Sequence, residues 1–207
     1  MARYRGPRVK ICRALGTVLP GLTNVTTLDR QYPPGEHAGR RRGKPSDYKI
    51  RLAEKQKLRF HYGVAEKQFK RYVAEATRCK GPTGKNLITM LESRLDNLIW
   101  RIGLAPTIPA ARQMVVHGHI LINGSRVDRP SFQVQPGSEI GIRTKSKEKP
   151  FIQERLEQSA SRTRPSFLDF DPAQATGKLV IAPDPAEIPH GLEVNTQAVI
   201  EFYSQML

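Results

Sequence analysis

The sequence predicts an α+β fold: an extended basic amino-terminal arm, a mainly helical domain after it, and a module of two helices plus a small antiparallel sheet. Three observations carry that prediction. The first 88 of 207 residues hold 21 Lys plus Arg against 6 Asp plus Glu, while the remaining 119 hold 13 of each, so the whole net charge of +15 lies at one end. Three segments between 47 and 102 have helical composition or apolar residues at three- and four-residue steps. Between 120 and 142, short β-type runs are separated by Asn123-Gly124 and Pro136-Gly137.

Residues 1–45 contain 11 Gly plus Pro, including Tyr32-Pro33-Pro34-Gly35, followed by the run Arg40-Arg41-Arg42-Gly43-Lys44. Such punctuation opposes helix and strand. The expectation is an extended arm that follows a phosphate backbone through Arg3, Arg5, Arg8, Lys10, Arg13, Arg40, Arg41, Arg42 and Lys44. Residues 46–87 form the helical region. From Asp47 to Tyr62 there is no Gly or Pro, and Gly63 closes the segment, which predicts a helix carrying Arg51, Lys55, Lys57 and Arg59. A second helix starts near Ala65 or Glu66 and reaches about Arg78, with Phe69, Val73 and Ala76 as its apolar stripe and Lys67, Lys70 and Arg71 elsewhere on its circumference. Lys80 to Asn86, including Lys85, reads as a linker.

Residues 88–150 are expected to form the module. Ile88, Leu91, Leu95, Leu98 and Ile102 predict one continuous helix up to Gly103, with Arg94, Asn97 and Arg101 on its wet face. A shorter helix begins at Pro109, carries Arg112 and ends at Gly118, leaving His117 and His119 flanking a hairpin. Ile120-Leu121-Ile122, the turn Asn123-Gly124, and a return through Arg126 and Val127 predict two strands; Phe132 to Val134 and Glu139 to Ile142 predict two more. Residues 151–207 read as a tail packing back on the helical region: an exposed helix from Phe151 to Arg164, a short strand over Lys178 to Ala182, and a final helix capped by Asn195 and presenting Val199, Phe202, Tyr203 and Met206. From 165 onward one lysine meets six carboxylates, so this tail should avoid nucleic acid and pack on the basic region or face a protein.

Charge this lopsided points to a polyanion, RNA or DNA, with counterion release supplying the sequence-independent part of binding. No apolar stretch approaches the ~18 residues that span a bilayer, and the basic start is followed by no apolar region of a secretory signal. Two cysteines, Cys12 and Cys79, give neither a disulfide framework nor paired zinc spacing, so no metal and no cofactor is expected. Phosphate-loop, nucleophile-elbow and zinc-protease motifs are missing, and no small-molecule substrate is expected.

Arg94-Leu95-Asp96-Asn97, Ala111-Arg112-Gln113-Met114-Val115 and His117-Gly118-His119-Ile120-Leu121-Ile122-Asn123-Gly124-Ser125-Arg126-Val127 together resemble the S4-type RNA-binding domain. Arg3-Tyr4-Arg5-Gly6-Pro7, Tyr32-Pro33-Pro34-Gly35 and Glu54-Lys55-Gln56-Lys57-Leu58-Arg59 extend the resemblance to the bacterial-type ribosomal protein S4 family over nearly the whole length. Some relatives hold zinc with four amino-terminal cysteines. The matching first pair here is Val9 and Cys12, and no second pair follows before Tyr32, so the chain resembles the zinc-free branch.

The resemblance implies a non-enzymatic constituent of the small ribosomal subunit that binds 16S rRNA at a junction of its 5′ domain and nucleates assembly there. It also implies contacts with the small-subunit proteins S5 and S3, proximity to incoming mRNA, and support of translational accuracy together with S5. Its expected place is the ribosome, in cytoplasm or, for a plastid-encoded chain, chloroplast stroma. The RNA-contacting set it implies adds Arg94, Asn97, Arg101, Arg112, His117, His119, Asn123 and Arg126 to the cations named above.

Two other readings compete. Arg94-Leu95-Asp96 resembles part of a pseudouridine-synthase motif, but Ser93, Ile99 and Arg101 stand where that motif needs Gly, Thr and Gly. A stand-alone RNA chaperone or stress factor needs little beyond the module, whereas this chain adds about 90 residues before it and about 50 after it.

Overall fold

The structure is a computed structural model that describes residues 4–36, 44–160, 163–187 and 194–204. It divides into two compact units, Met1–Leu87 with His190–Leu207, and Ile88–Pro189.

The first unit is helical. Its first helix, α1 (Arg8–Leu15), falls where the Gly and Pro count predicts none. Averaging over 45 residues hides that 8–15 contain neither; Pro7 sits at the N-cap and Gly16, at φ +70°, ends the helix with its N–H donating to Arg13 O and that of Thr17 to Cys12 O. Ile11 and Cys12 are buried with Leu19 and Leu22, against Leu15, Leu28 and Phe60. This cluster is why part of the arm folds: its apolar residues are few but adjacent in space. Burial pushes the Cys12 thiol up from its ordinary value, so it stays protonated.

Helix α2 (Asp47–His61) opens on Ser46, whose hydroxyl accepts from Lys49 N–H at 3.4 Å, and closes through Tyr62 and Gly63, at φ +60°. Helix α3 (Glu66–Arg78) buries Phe69, Tyr72, Val73 and Ala76. Helix α4 (Thr83–Glu92) starts inside the segment expected to be a linker, because Asn86 Nδ2 reaches the carbonyls of Ala76, Cys79 and Lys80 at 3.3 to 3.4 Å and fixes the turn before it.

In the second unit the expected continuous helix is broken. α4 ends at Glu92, Arg94 is extended at φ −70° and ψ 137°, and α5 (Leu95–Ile102) begins afresh. Phe132 to Val134, expected as a strand, instead lie in a segment that caps α5: Leu95 N–H donates to Phe132 O at 2.9 Å and Asp96 N–H to Pro130 O at 3.1 Å, and an isolated bridge joins Arg94 and Gln133. The periodicity hides this break because Leu91 and Leu95 keep the four-residue step across it. Ile88, Leu91, Leu95, Leu98 and Ile102 are all buried. Helix α6 (Ile108–Val116) packs on α5; Thr107 is its N-cap, accepting from Ala110 N–H, and Gly118, at φ +71°, lets the chain turn out of it.

Among the described residues the sheet has five antiparallel strands in the order β2-β1-β3-β5-β4. β1 (Ile120–Ile122) and β2 (Ser125–Arg126) pair Ile122 with Ser125, so Asn123-Gly124 is a two-residue turn with φ +48° and +77°, the left-handed pair a type I′ hairpin demands. β3 (Glu139–Ile142) joins β1 to β5 (Thr176–Leu179), and β4 (Leu168–Asp171) completes the edge. The expected boundary at 150 therefore does not divide the chain there: residues 168–179 continue the module's sheet, and β4, unforeseen, buries Leu168 and Phe170 while Asp169 and Asp171 face water. Between β3 and β4 lie α7 (Thr144–Lys147) and α8 (Pro150–Ala160), the latter shorter than the helix expected from Phe151 to Arg164.

Gly177 sits where β5 meets both neighbours, opposite Ile140 and Phe170. A Cβ there would lie 2.6 Å from the carbonyl oxygen of Asp169 and 2.7 Å from Phe170 Cδ2. The nearer obstacle is backbone and cannot rotate away. Gly177→Ala is expected to cost about 1–3 kcal/mol, read as a lower urea midpoint with an unchanged slope; an unchanged midpoint would mean the sheet seam is looser than described.

The final helix α9 (Thr196–Ser204) packs on α2 and α3 of the first unit. Asn195 Oδ1 accepts from Ala198 N–H at 3.1 Å, as its capping role requires. Ala198, Val199, Phe202 and Tyr203 are buried, and Phe202 lies 5.8 Å from the Tyr48 ring while Tyr203 lies 5.9 Å from Phe69. Met206, expected on the same face, is outside the described residues.

Candidate nucleic-acid interface

Of the cations expected to meet RNA, Arg3, Arg40, Arg41 and Arg42 lie outside the described residues. Arg5, Arg8, Lys10, Lys44, Lys67, Lys70, Arg71 and Lys85 are exposed on the first unit. Helix α3 organises the clearest group. At about 100° per residue, Lys67, Lys70, Arg71 and Arg78 fall within roughly 100° of one another, opposite the face formed by Phe69, Tyr72, Val73 and Ala76. The helix is thus glued to its unit by one side and presents four cations with the other. Arg78 was not singled out from the sequence, although its spacing of seven from Arg71 gives its place on this face.

The cations of α2 are placed differently. Arg51 Nε donates to Glu201 at 3.0 Å, Lys57 Nζ to Glu54 at 2.6 Å, and Arg59 Nε to Gln56 at 2.8 Å while its guanidinium lies over Phe60. Lys55 is a correction. It is 5% exposed, its ammonium is bonded to Glu66 at 2.9 Å and lies 4.7 Å from the Phe202 ring centre. It is buried between α2, Glu66 and the Phe202 ring of α9, and so is not the exposed cation expected on α2.

Glu66 is the acceptor at that junction, taking hydrogen bonds from Lys55 Nζ and, at 2.7 Å, from Tyr203 Oη. Burial alone would raise its pKa, but these bonds and the charges of Lys55 and Arg59 outweigh burial and hold the carboxyl below its usual range; burial and Glu66 in turn push the Tyr203 phenol up. A carboxyl depressed in the folded state stabilises above its unfolded value, about 4.3, and that contribution vanishes as pH falls through the folded value. Protection of the α9 amides, taken relative to the intrinsic exchange rate at each pH, should therefore fall between about pH 5 and pH 3, and Glu66→Gln should flatten the pH dependence in that window. Equal pH profiles for the two proteins would remove Glu66 as the cause.

In the second unit the expected wet face of α5 is interior. Arg94 is 1% exposed, Asn97 0% and Arg101 7%. Arg94 grips Asp96 through Nε at 3.0 Å and Nη2 at 2.6 Å, and Arg112 Nη1 approaches the same carboxylate at 3.7 Å. Arg101 grips Glu92 through Nε at 3.0 Å and Nη2 at 2.7 Å, and Asn97 Nδ2 donates to Glu92 Oε2 at 2.6 Å. Asp96 is fully buried, and burial pushes its carboxyl up against the pull of Arg94 and then Arg112. These residues brace the helix break. The signal was in the sequence: Glu92, Arg94, Asp96 and Arg101 balance in charge within ten residues of a segment whose net charge is zero.

His119 is also interior. Its Nδ1 is 2.9 Å from Ser146 Oγ, and burial first, then the charges of Lys149, His117 and Arg143, hold its imidazole below the usual value, so it is neutral at pH 7. His117, Asn123 and Arg126 are exposed, and Arg112 is half-buried. Asn123 Oδ1 accepts from Glu139 N–H at 2.8 Å and so fixes the hairpin tip, while the Arg126 guanidinium lies where a Cβ on Gly118 would be. Arg143, Lys145 and Lys149 add exposed cations beyond β3.

Among the described residues no group of three or more His, Cys, Asp or Glu gathers at metal-binding distance, and no helix is long and apolar enough to cross a membrane.

Residues 3–92 match the ribosomal protein S4/S9 N-terminal domain, and residues 93–140 match the S4 domain. Among curated proteins, the chain is 48% identical to the small ribosomal subunit protein uS4 of Thermosynechococcus vestitus over 205 residues, 99% of each chain. It is equally similar to uS4 of a Picosynechococcus species over 206 residues, 100% of each, and to that of a Cyanothece species over 206, 99% of each. The junction of the two matched domains falls at Ser93, where α4 gives way to the extended Arg94, and the two matches together with the full-length identity show that the chain belongs to the uS4 family of small ribosomal subunit proteins.

Proposed function

We propose that this chain is a structural constituent of the small ribosomal subunit and binds ribosomal RNA chiefly through its first unit, without enzymatic activity. The observation that carries the reading is the cationic face of α3, four exposed side chains on a helix anchored by its opposite side. Rigid placement of cations suits the shape and phosphate recognition by which folded RNA is held. The second unit contributes its exposed edge of His117, Asn123 and Arg126, held by the buried Arg94–Asp96 and Arg101–Glu92 pairs.

Within that role, the RNA target is the multi-helix junction of the 16S rRNA 5′ domain. Fixing the angle between RNA helices there gives later proteins a formed surface, which is how the chain nucleates assembly. The docking of α9 through Glu201 and Tyr203 keeps the acidic carboxy-terminal helix against the basic first unit, and the remaining acidic surface faces protein neighbours, S5 first and S3 next, near incoming mRNA. Support of accuracy follows from that contact with S5. Cyanobacterial relatives fit a bacterial-type ribosome, in a bacterial cytoplasm or a plastid stroma.

Chemical footprinting of small-subunit rRNA with the purified chain tests this. Protection is expected at a junction in the 5′ domain. Co-sedimentation with free mRNA or tRNA, and none with small subunits, would favour the stand-alone RNA-binding factor instead.

A further inference from the structure

Between α1 and the segment 30–36 lies a cleft of about 490 Å³ lined by Lys10, Arg13, Arg30, Tyr32, Pro34 and Glu36. Three cations against one carboxylate leave it positive. The Tyr32 ring is 46% exposed, although the residue is anchored: Arg13 Nε donates to Tyr32 O at 3.2 Å, and the Arg13 guanidinium lies 5.1 Å from the ring centre. The anchor is itself built into the fold, because α1 buries Ile11 and Cys12, the residues just before Arg13, in the cluster with Leu19 and Leu22. An exposed aromatic held in place by a stacked guanidinium, with two further cations beside it, is the chemistry that takes a base and its flanking phosphates together.

We propose that this cleft receives one unpaired nucleotide of the bound RNA, its base stacked on Tyr32 and its phosphates met by Lys10 and Arg30. The proposal rests on the RNA-binding reading above and assigns to it one site with a distinct physical signature. Stacking is neutral, so it adds affinity without releasing counterions, whereas phosphate contacts set the salt slope.

The experiment measures binding of the full chain to small-subunit rRNA across a salt series. Tyr32→Ala is expected to weaken binding about 10- to 100-fold at every salt concentration with the slope unchanged, and Tyr32→Phe to keep wild-type affinity. Lys10→Ala with Arg30→Ala is expected to flatten the slope by about 1.4 to 1.8 units. Tyr32→Trp supplies a readout independent of any loss of stability: RNA should quench its fluorescence beyond that of the wild-type chain, whose single tryptophan is Trp100. Wild-type affinity in Tyr32→Ala, or no excess quenching in Tyr32→Trp, would overturn the nucleotide site and leave RNA binding intact. Failure of the wild-type chain to bind the rRNA would overturn both readings.

Discussion

Glu92→Ala is expected to destabilise the second unit by about 3–5 kcal/mol, the loss typical when one partner of a buried ion pair is removed. Glu92 is completely buried and receives both forks of Arg101 as well as the Asn97 amide. Its removal leaves a guanidinium that cannot deprotonate without a counter-charge, next to an Asn97 amide that keeps the Glu92 backbone carbonyl at 3.1 Å but loses the carboxylate. The loss should be almost independent of salt, since screening acts weakly on pairs away from water. Replacing Glu92 and Arg101 together by apolar residues of similar volume should recover most of it, because the cost of the single change comes from the orphaned charge. Urea denaturation of the three proteins checks this. A single-variant loss below about 1 kcal/mol would place the pair in solvent, where exposed bridges contribute little.

Neutralising Lys67, Lys70, Arg71 and Arg78 together is expected to weaken rRNA binding on the order of a thousandfold near 0.1 M salt. Each phosphate contact contributes roughly 0.7 to 0.9 to the log–log salt slope, so four contacts lower the slope by about three units, which corresponds to about three decades of affinity at that ionic strength. Stability should change little, since all four side chains are exposed and lie opposite the buried face. Filter binding across a salt series, with circular dichroism as the control for folding, reads both quantities. A variant with the wild-type slope would remove α3 from the interface. The contrast with Lys55 is informative: its replacement should lower stability through loss of the Glu66 bond and the Phe202 contact while leaving the salt slope alone.

How far the sequence revealed this protein depended on whether the deciding interaction was local. α3 was legible to within a residue, because its apolar stripe and its basic face are both set by a 3.6-residue period. The β1–β2 hairpin was legible because Asn-Gly supplies the two left-handed residues that a two-residue turn needs. The cap at Asn195 and the helix start at Pro109 were legible for the same reason. The helix break was not. One extended residue at Arg94 leaves the apolar spacing intact, and the carbonyls that replace the missing helical partners come from Pro130 and Phe132, more than thirty residues away. Strand β4 was missed because four alternating residues mean little until β5 pairs with them.

The candidate interface divides along the same line. A charge of +15 confined to the first 88 residues points to a polyanion as partner, because surplus charge cannot be neutralised within the chain. Which individual cations face outward was decided only by tertiary structure. An arginine reads the same in sequence whether it stands exposed, as Arg71 does, or is spent on a carboxylate, as Arg94 and Arg101 are, since burial and pairing depend on groups that only folding brings within 3 Å.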